Sequence, residues 1–223
     1  MKRTTVLLAD DHMIVREGFR NLLEREDDIE VVDEAQTGRQ ALEMARGLRP
    51  DVVVMDIAMP LLNGLEATRQ ILKSVPGIKV IILSAHSEDA YVEQAIEAGA
   101  SGFLFKQSSA NTLSHAIRDV CKGKTYFSPA IMKRFRDRKP LARPGALNKK
   151  LERLTSREAE VLQLIAEGKA NKQTAAELGI GIKTVEKHRD HLMQKLDIHD
   201  TDGLTRYAIG AGIIESSVQV TIV

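Results

Sequence analysis

Five short apolar runs, each closing on a polar residue, restrict the folds open to the first half of this chain. They lie at residues 5–9, 29–32, 51–55, 80–83 and 102–105. Most are rich in β-branched residues and continuous rather than alternating, as expected of strands buried on both faces of a parallel sheet. Between them, helical spacing covers 13–25, 38–48, 64–74, 88–98 and 109–122. Strands alternating with helices in this way predict an α/β doubly wound, five-stranded parallel sheet.

The residues behind the strands carry the chemistry. Asp10 and Asp11 follow the first run, Asp56 the third, Ser84 the fourth and Lys106 the fifth. In a parallel sheet all these ends share one edge, where such folds bind ligands. Taken singly, a strand-terminal Asp reads as a helix N-cap and a lone Lys as a solvated edge charge. It is their convergence that points to a site. Clustered carboxylates repel unless a cation lies among them, and hard oxygen donors open to water suit Mg²⁺ better than zinc. Lys106 and Ser84 are left to hold an anion. His12, His86 and His115 read as structural or exposed, and Cys121 as a small buried apolar residue.

Charge divides the 223 residues into blocks. Residues 1–127 carry 15 Lys and Arg against 19 Asp and Glu, a net −4. Residues 128–150 carry 8 against 1 and also hold Pro129, Pro140, Pro144 and Gly145, which break helices and favour a connector. Residues 151–223 carry 9 against 11. The expected organisation is a first domain at 1–127, a basic linker at 128–150, a second domain at 151–214 and a tail at 215–223. At 43% apolar and 28% charged residues, disordered and collagen-like chains are excluded. The apolar stretch behind Met1-Lys2-Arg3 ends at Asp10, too short for a signal-peptide core, and no run approaches the ~18 apolar residues of a membrane span. With one cysteine there is no internal disulfide, which fits a reducing, cytoplasmic setting.

Four motifs in order, Leu7-Leu8-Ala9-Asp10-Asp11, Met55-Asp56-Ile57-Ala58-Met59-Pro60 with Asn63-Gly64, Leu83-Ser84-Ala85 and Gly102-Phe103-Leu104-Phe105-Lys106, resemble the receiver domain of two-component response regulators over residues 4–122. The resemblance implies that Asp56 accepts a phosphoryl group from a sensor histidine kinase. It also implies that Asp11, and Asp10 through water, bind Mg²⁺ with Asp56 and the Ala58 carbonyl. Lys106 and Ser84 would contact the phosphoryl group, and Phe103 stands at the switching aromatic. Many receivers follow the lysine with a cis proline; Gln107 stands here, and the peptide geometry before it is left open.

In the second domain, Thr155-Ser156-Arg157-Glu158 reads as a capping box opening a helix that runs to Gly168. Further helices are expected at 171–178, 182–196 and 202–211, the first two joined by the tight turn Leu178-Gly179-Ile180-Gly181 of a helix-turn-helix. Residues 151–214 resemble the LuxR-type helix-turn-helix, and the two domains together resemble the NarL/FixJ class. Against that pattern Thr174 replaces a core aliphatic, Gly181 a capping serine and Thr201 an arginine.

The resemblance makes double-stranded DNA the partner, bound by a homodimer. Residues 182–195 would form the recognition helix, whose exposed face offers Lys183, Thr184, Glu186, Lys187, Arg189, Asp190 and Lys195. Lys183, Thr184, Lys187 and Arg189 are the contact candidates, with Asn171 and Lys172 reaching the backbone. Glu186 either accepts from cytosine N4 or pairs with a neighbouring lysine. His188 and His191 lack the further ligands that a zinc site needs. A Mg²⁺-dependent phosphohydrolase built on Asp56 is the competing class; the sequence shows neither a substrate-pocket insertion nor a second general acid close to Asp56. A helix-turn-helix that binds protein instead of DNA is the third reading.

Overall fold

Alternate residues of the apolar runs leave for opposite faces of one sheet, which is why the runs are continuous. In β1 (Thr4–Ala9) Leu7 and Ala9 join one core while Val6 and Leu8 join the other. Val53 and Met55 of β3 (Val52–Asp56) enter the first core, Val52 and Val54 the second. The other strands are β2 (Ile29–Ala35), β4 (Lys79–Ser84) and β5 (Gly102–Phe105), and all pairs are parallel. The spatial order β2-β1-β3-β4-β5 is flavodoxin-like. The helices of this unit are α1 (Met13–Leu23), α2 (Gly38–Leu48), α3 (Gly64–Ser74), α4 (Asp89–Glu97) and α5 (Ala110–Cys121). Phe19 and Leu23 of α1 meet Leu113 and Ile117 of α5 in one core, while Ala41 of α2, Ile71 of α3 and Val92 of α4 fill the other.

The structure is a computed structural model that describes residues 3–85, 89–108, 110–127 and 154–214. His86, the linker at 128–150 and the tail at 215–223 lie outside the described residues. The chain divides between residues 142 and 143 into two compact units. No described helix is long and apolar enough to cross a membrane.

Two expectations need correction in the first unit. β2 runs on to Ala35, past the expected end at Val32, because an edge strand tolerates the polar pair Asp33-Glu34. Cys121 is exposed, at the solvent side of the last turn of α5. No described peptide bond is cis, so the peptide before Gln107 is trans.

The second unit contains α6 (Ser156–Ala166), α7 (Asn171–Leu178), α8 (Ile182–Leu196) and α9 (Thr201–Gly210). The capping box is present: Thr155 Oγ1 accepts from the Glu158 N–H at 3.3 Å, and Glu158 Oε2 accepts from the Thr155 N–H at 2.8 Å. Gly179 ends α7 at φ +62°, a left-handed position that suits glycine. Val161, Leu162, Leu178, Val185, Leu192, Leu196, Leu204 and Ala208 form the core.

Thr174 sits within that core, 1% exposed, and its hydroxyl has no hydrogen-bond partner among the described residues. Such a hydroxyl costs about 1–3 kcal/mol relative to an apolar group of the same shape. Thr174→Val should therefore raise stability by about 1 kcal/mol, read as a higher midpoint for the second unit in thermal unfolding of the full chain.

Candidate functional site

The sheet edge gathers the expected residues. Asp10 immediately follows β1, Asp56 is the last residue of β3, Ser84 the last of β4, and Lys106 follows β5. Asp10, Asp56 and Ser84 are buried, at 3%, 2% and 1% exposure. Lys106 Nζ lies 2.8 Å from Asp10 Oδ2 and 3.0 Å from Asp56 Oδ2. These contacts are ionic, and neither oxygen has a well-directed hydrogen-bond donor. The Lys106 N–H donates to the Ser84 carbonyl at 2.8 Å, fixing the lysine to β4. Phe103 is buried in the core shared with α4 and meets Phe105 edge-on, with ring centroids 5.7 Å apart.

Two close backbone approaches set the loop that carries Ala58. The Ile57 carbonyl accepts from the N–H groups of Met59 and Gly64, at 3.1 and 2.9 Å. A Cβ on Gly64 would stand 1.8 Å from the Asp56 carbonyl oxygen, and one on Gly38 would stand 2.0 Å from that of Leu62. Both positions admit only glycine without a backbone shift.

Electrostatics follow from burial. Desolvation, reinforced by Asp10 and Asp11 and only partly offset by Lys106, pushes the Asp56 carboxyl up to about 6. Burial alone would lower Lys106, but Asp56 and Asp10 outweigh it and hold the ammonium above the ordinary lysine value. Because the folded pKa of Asp56 exceeds the unfolded one, its contribution favours the fold most below pH 4 and is lost as pH rises through 6. The stability advantage of Asp56→Asn over the wild type should thus grow by ~2–3 kcal/mol from pH 4 to pH 7 in metal-free protein. Calorimetry of both chains at the two pH values measures it; a constant difference would contradict the burial account.

Three features were missed in the sequence. His12 has company after all: its Nδ1 lies 2.7 Å from Asp11 Oδ1 and 3.2 Å from Asp10 Oδ1. Asp10, Asp11, His12 and Asp56 each offer a ligand atom within 4.8 Å of the others, so the pocket fits a metal ion. Its adjacency to the Asp pair was the available signal. Arg16 of α1 is buried, donates to the Asp10 carbonyl at 2.7 Å and pairs with Glu34 of β2 at 3.0 Å. Glu34 also pairs with Arg20, so α1 is clamped over the loop that bears the acids. Lys195 is exposed on α8 as expected, and its Nζ also reaches the buried Glu158 of α6, 2.6 Å from Oε2.

On α8, Lys183, Thr184, Glu186 and Lys187 are exposed, as is Lys172 on α7. Arg189 is half-buried and donates to Asn171 Oδ1 at 3.4 Å and to Thr201 Oγ1 at 2.5 Å, tying α8 to α7 and α9. Thr201, where the pattern has arginine, thus receives an arginine from the neighbouring helix. Gly181 caps α8 with no side-chain hydrogen bond. Neither His188 nor His191 joins a potential metal cluster among the described residues.

Residues 6–118 match the family model for the response regulator receiver domain, and residues 152–208 match bacterial regulatory proteins of the LuxR family. The chain belongs to the LuxR-family response regulators. It is 37% identical to the response regulator protein VraR of Staphylococcus aureus over 94% of this chain and 98% of that protein. A LuxR-family two-component response regulator from an Aurantimonas species is 39% identical, over 59% of this chain and 94% of that one, with a TM-score of 0.56. An RcsB–DNA complex is 27% identical over 92% and 98% of the two chains, with a TM-score of 0.54. The regulator therefore joins a receiver to a LuxR-type helix-turn-helix DNA-binding domain, in a family that regulates transcription rather than one of classical enzymes.

Proposed function

We propose that this regulator controls transcription by accepting, on Asp56, a phosphoryl group from a phosphohistidine of its sensor histidine kinase. The observation that carries the reading is the pairing of buried Asp56 with Lys106 beside Asp10 and Asp11 at one sheet edge. An Asp56 oxygen bonds to phosphorus as the P–N bond breaks, and that electron pair departs on the imidazole. Lys106 neutralises charge spreading over the phosphoryl oxygens, and the Ser84 hydroxyl donates to one of them. Asp11, Asp56, the Ala58 carbonyl and, through water, Asp10 would hold Mg²⁺, which would supply further charge neutralisation. Phe103 is the aromatic whose repacking reports the change to the rest of the receiver. Asp56 acts as an acceptor that slowly loses its phosphoryl group to water, so the chain is no turnover enzyme.

The working division is a receiver at 1–127, a basic linker at 128–150, the helix-turn-helix domain at 151–214 and a tail at 215–223, in a cytoplasmic protein with no membrane role. The active form binds double-stranded DNA as a homodimer, with a recognition helix α8 in each of two half-sites about one helical turn apart. Two RcsB dimers bound to two DNAs form one of the similar structures, 26% identical with a TM-score of 0.55. Lys183, Thr184, Lys187 and Arg189 face the groove, with Asn171 and Lys172 toward the backbone; Arg189 keeps its ties to Asn171 and Thr201 while doing so.

Lys187→Ala should weaken operator binding by about 1–3 kcal/mol. Lys195→Met should instead lower the unfolding midpoint while leaving the folded protein's DNA affinity nearly unchanged, because it removes the Glu158 ion pair. Titrations of a footprinted operator at several salt concentrations test the reading. Affinity should fall linearly in log–log form as phosphate contacts release counterions; wild-type affinity in the Lys187→Ala variant would displace the recognition face.

A further inference from the structure

We propose that Ile182 and Glu186 of α8 together read two pyrimidines of the operator half-site, Ile182 covering the 5-methyl group of a thymine and Glu186 accepting from the N4 amino group of a cytosine. The proposal rests on the reading of α8 as the recognition helix.

The buried side of α8 decides which side chains are left to DNA. Val185, Leu192 and Leu196 are fully buried, and Arg189 and Lys195 tie the helix to its neighbours. Ile182, the first residue of the helix, stays outside that core at 45% exposure. Gly181 before it caps the helix in extended backbone, at φ −70° and ψ 148°, and has no side chain to screen it. The N-terminal residues of a recognition helix are those that meet base edges in the major groove. The apolar group that the bases present there is the thymine 5-methyl, and an isoleucine covers it well.

Glu186 lies one turn further on and is exposed as well. Of the two roles its position allowed, pairing with a neighbouring lysine is absent: among the described residues its carboxylate meets neither Lys183 nor Lys187 in an ion pair. A bare carboxylate on the DNA side repels the phosphates of every sequence. That cost is offset only where a base donates to it, and cytosine N4 is the donor that acidic side chains take in this groove. Glu186 thus lowers affinity for wrong sequences more than for the right one, which sharpens choice. Residues four apart on a helix have Cβ atoms about 5–6 Å apart, and bases on one strand step by about 3.4 Å. The thymine and the cytosine therefore stand one or two steps apart.

Operators should be selected from random duplex DNA by the full chain treated with acetyl phosphate and Mg²⁺. Each half-site is expected to hold a thymine and a cytosine within two steps. Replacing that thymine by uracil, which deletes only the methyl group, should weaken wild-type binding about four-fold and leave Ile182→Ala unaffected. Glu186→Gln should lose about ten-fold of the preference for cytosine and bind unrelated DNA at least as tightly as the wild type. Both side chains are exposed, so both variants should keep the wild-type thermal midpoint. A half-site without the two pyrimidines, a uracil penalty that is absent from the wild type or persists in Ile182→Ala, or an undiminished cytosine preference in Glu186→Gln would overturn the proposal. So would a gain in Glu186→Gln shared equally by every sequence, as charge repulsion alone gives. Any of these with Lys187→Ala still weakened sinks the proposal alone. Wild-type affinity in Lys187→Ala as well removes α8 from the groove, and the recognition-helix reading falls with it.

Discussion

Asp56→Asn should take up no phosphoryl group from acetyl phosphate and Mg²⁺, where the wild type takes up one. The side chain closes β3 with 2% exposure, and its Oδ2 faces Lys106 Nζ at 3.0 Å. An amide of the same shape keeps the contact surface and removes the nucleophilic carboxylate. Misfolding would not explain the loss, because Asn deletes a buried charge that Asp10 repels and should leave the receiver at least as stable at neutral pH. Asp11→Ala should fail by a different route, through the metal, and very high Mg²⁺ should restore part of its labelling. Intact-mass measurement reads all three chains, and stoichiometric labelling of the Asn variant would remove Asp56 from the reaction.

Gly64→Ala should be the most damaging single methyl in the receiver. Its Cβ would stand 1.8 Å from the Asp56 carbonyl oxygen and 2.8 Å from the Asp56 carbonyl carbon. These are backbone atoms of Asp56, the proposed phosphoacceptor, so relief requires β3 and α3 to part. Overpacking of this kind costs about 1–3 kcal/mol and occasionally more. Here the displacement also moves the nucleophile, and positioning errors near 1 Å cost about 10²-fold in rate. Gly47→Ala is the matched control: it lies in α2 with nothing within 4 Å of the added methyl, and alanine there should stabilise by about 0.5–1 kcal/mol. Chemical unfolding and acetyl phosphate kinetics on both variants give the comparison. Equal behaviour of the two would contradict the close approach at Gly64.

The legible parts of the molecule are those that local pattern encodes. β-Branched runs carried the strands because a sheet covered on both faces needs apolar residues at successive positions. Asp10, Asp11, Asp56, Ser84 and Lys106 were readable as a group because parallel topology sends every strand end to one edge. Thr155 and Glu158 announced α6 through a capping box that closes within four residues. What stayed hidden depends on partners far along the chain. Lys195 stands on the exposed face of α8, and nothing in its local spacing shows that it reaches Glu158, 37 residues earlier. Arg16 looks like a surface arginine until Glu34 of β2 and the Asp10 carbonyl are placed beside it. Cys121 was read from the usual burial of cysteine, but the end of α5 turns it to solvent.

Phosphorylation of Asp56 is the central claim, and its product can be trapped directly. Borohydride reduces an aspartyl phosphate to homoserine, and peptide mass spectrometry locates the new residue. After treatment of the full chain with acetyl phosphate and Mg²⁺, homoserine should appear at position 56 alone. Homoserine at Asp10, Asp11 or any other aspartate with position 56 unmodified, or no homoserine in a chain that has gained a phosphoryl group, would contradict the account.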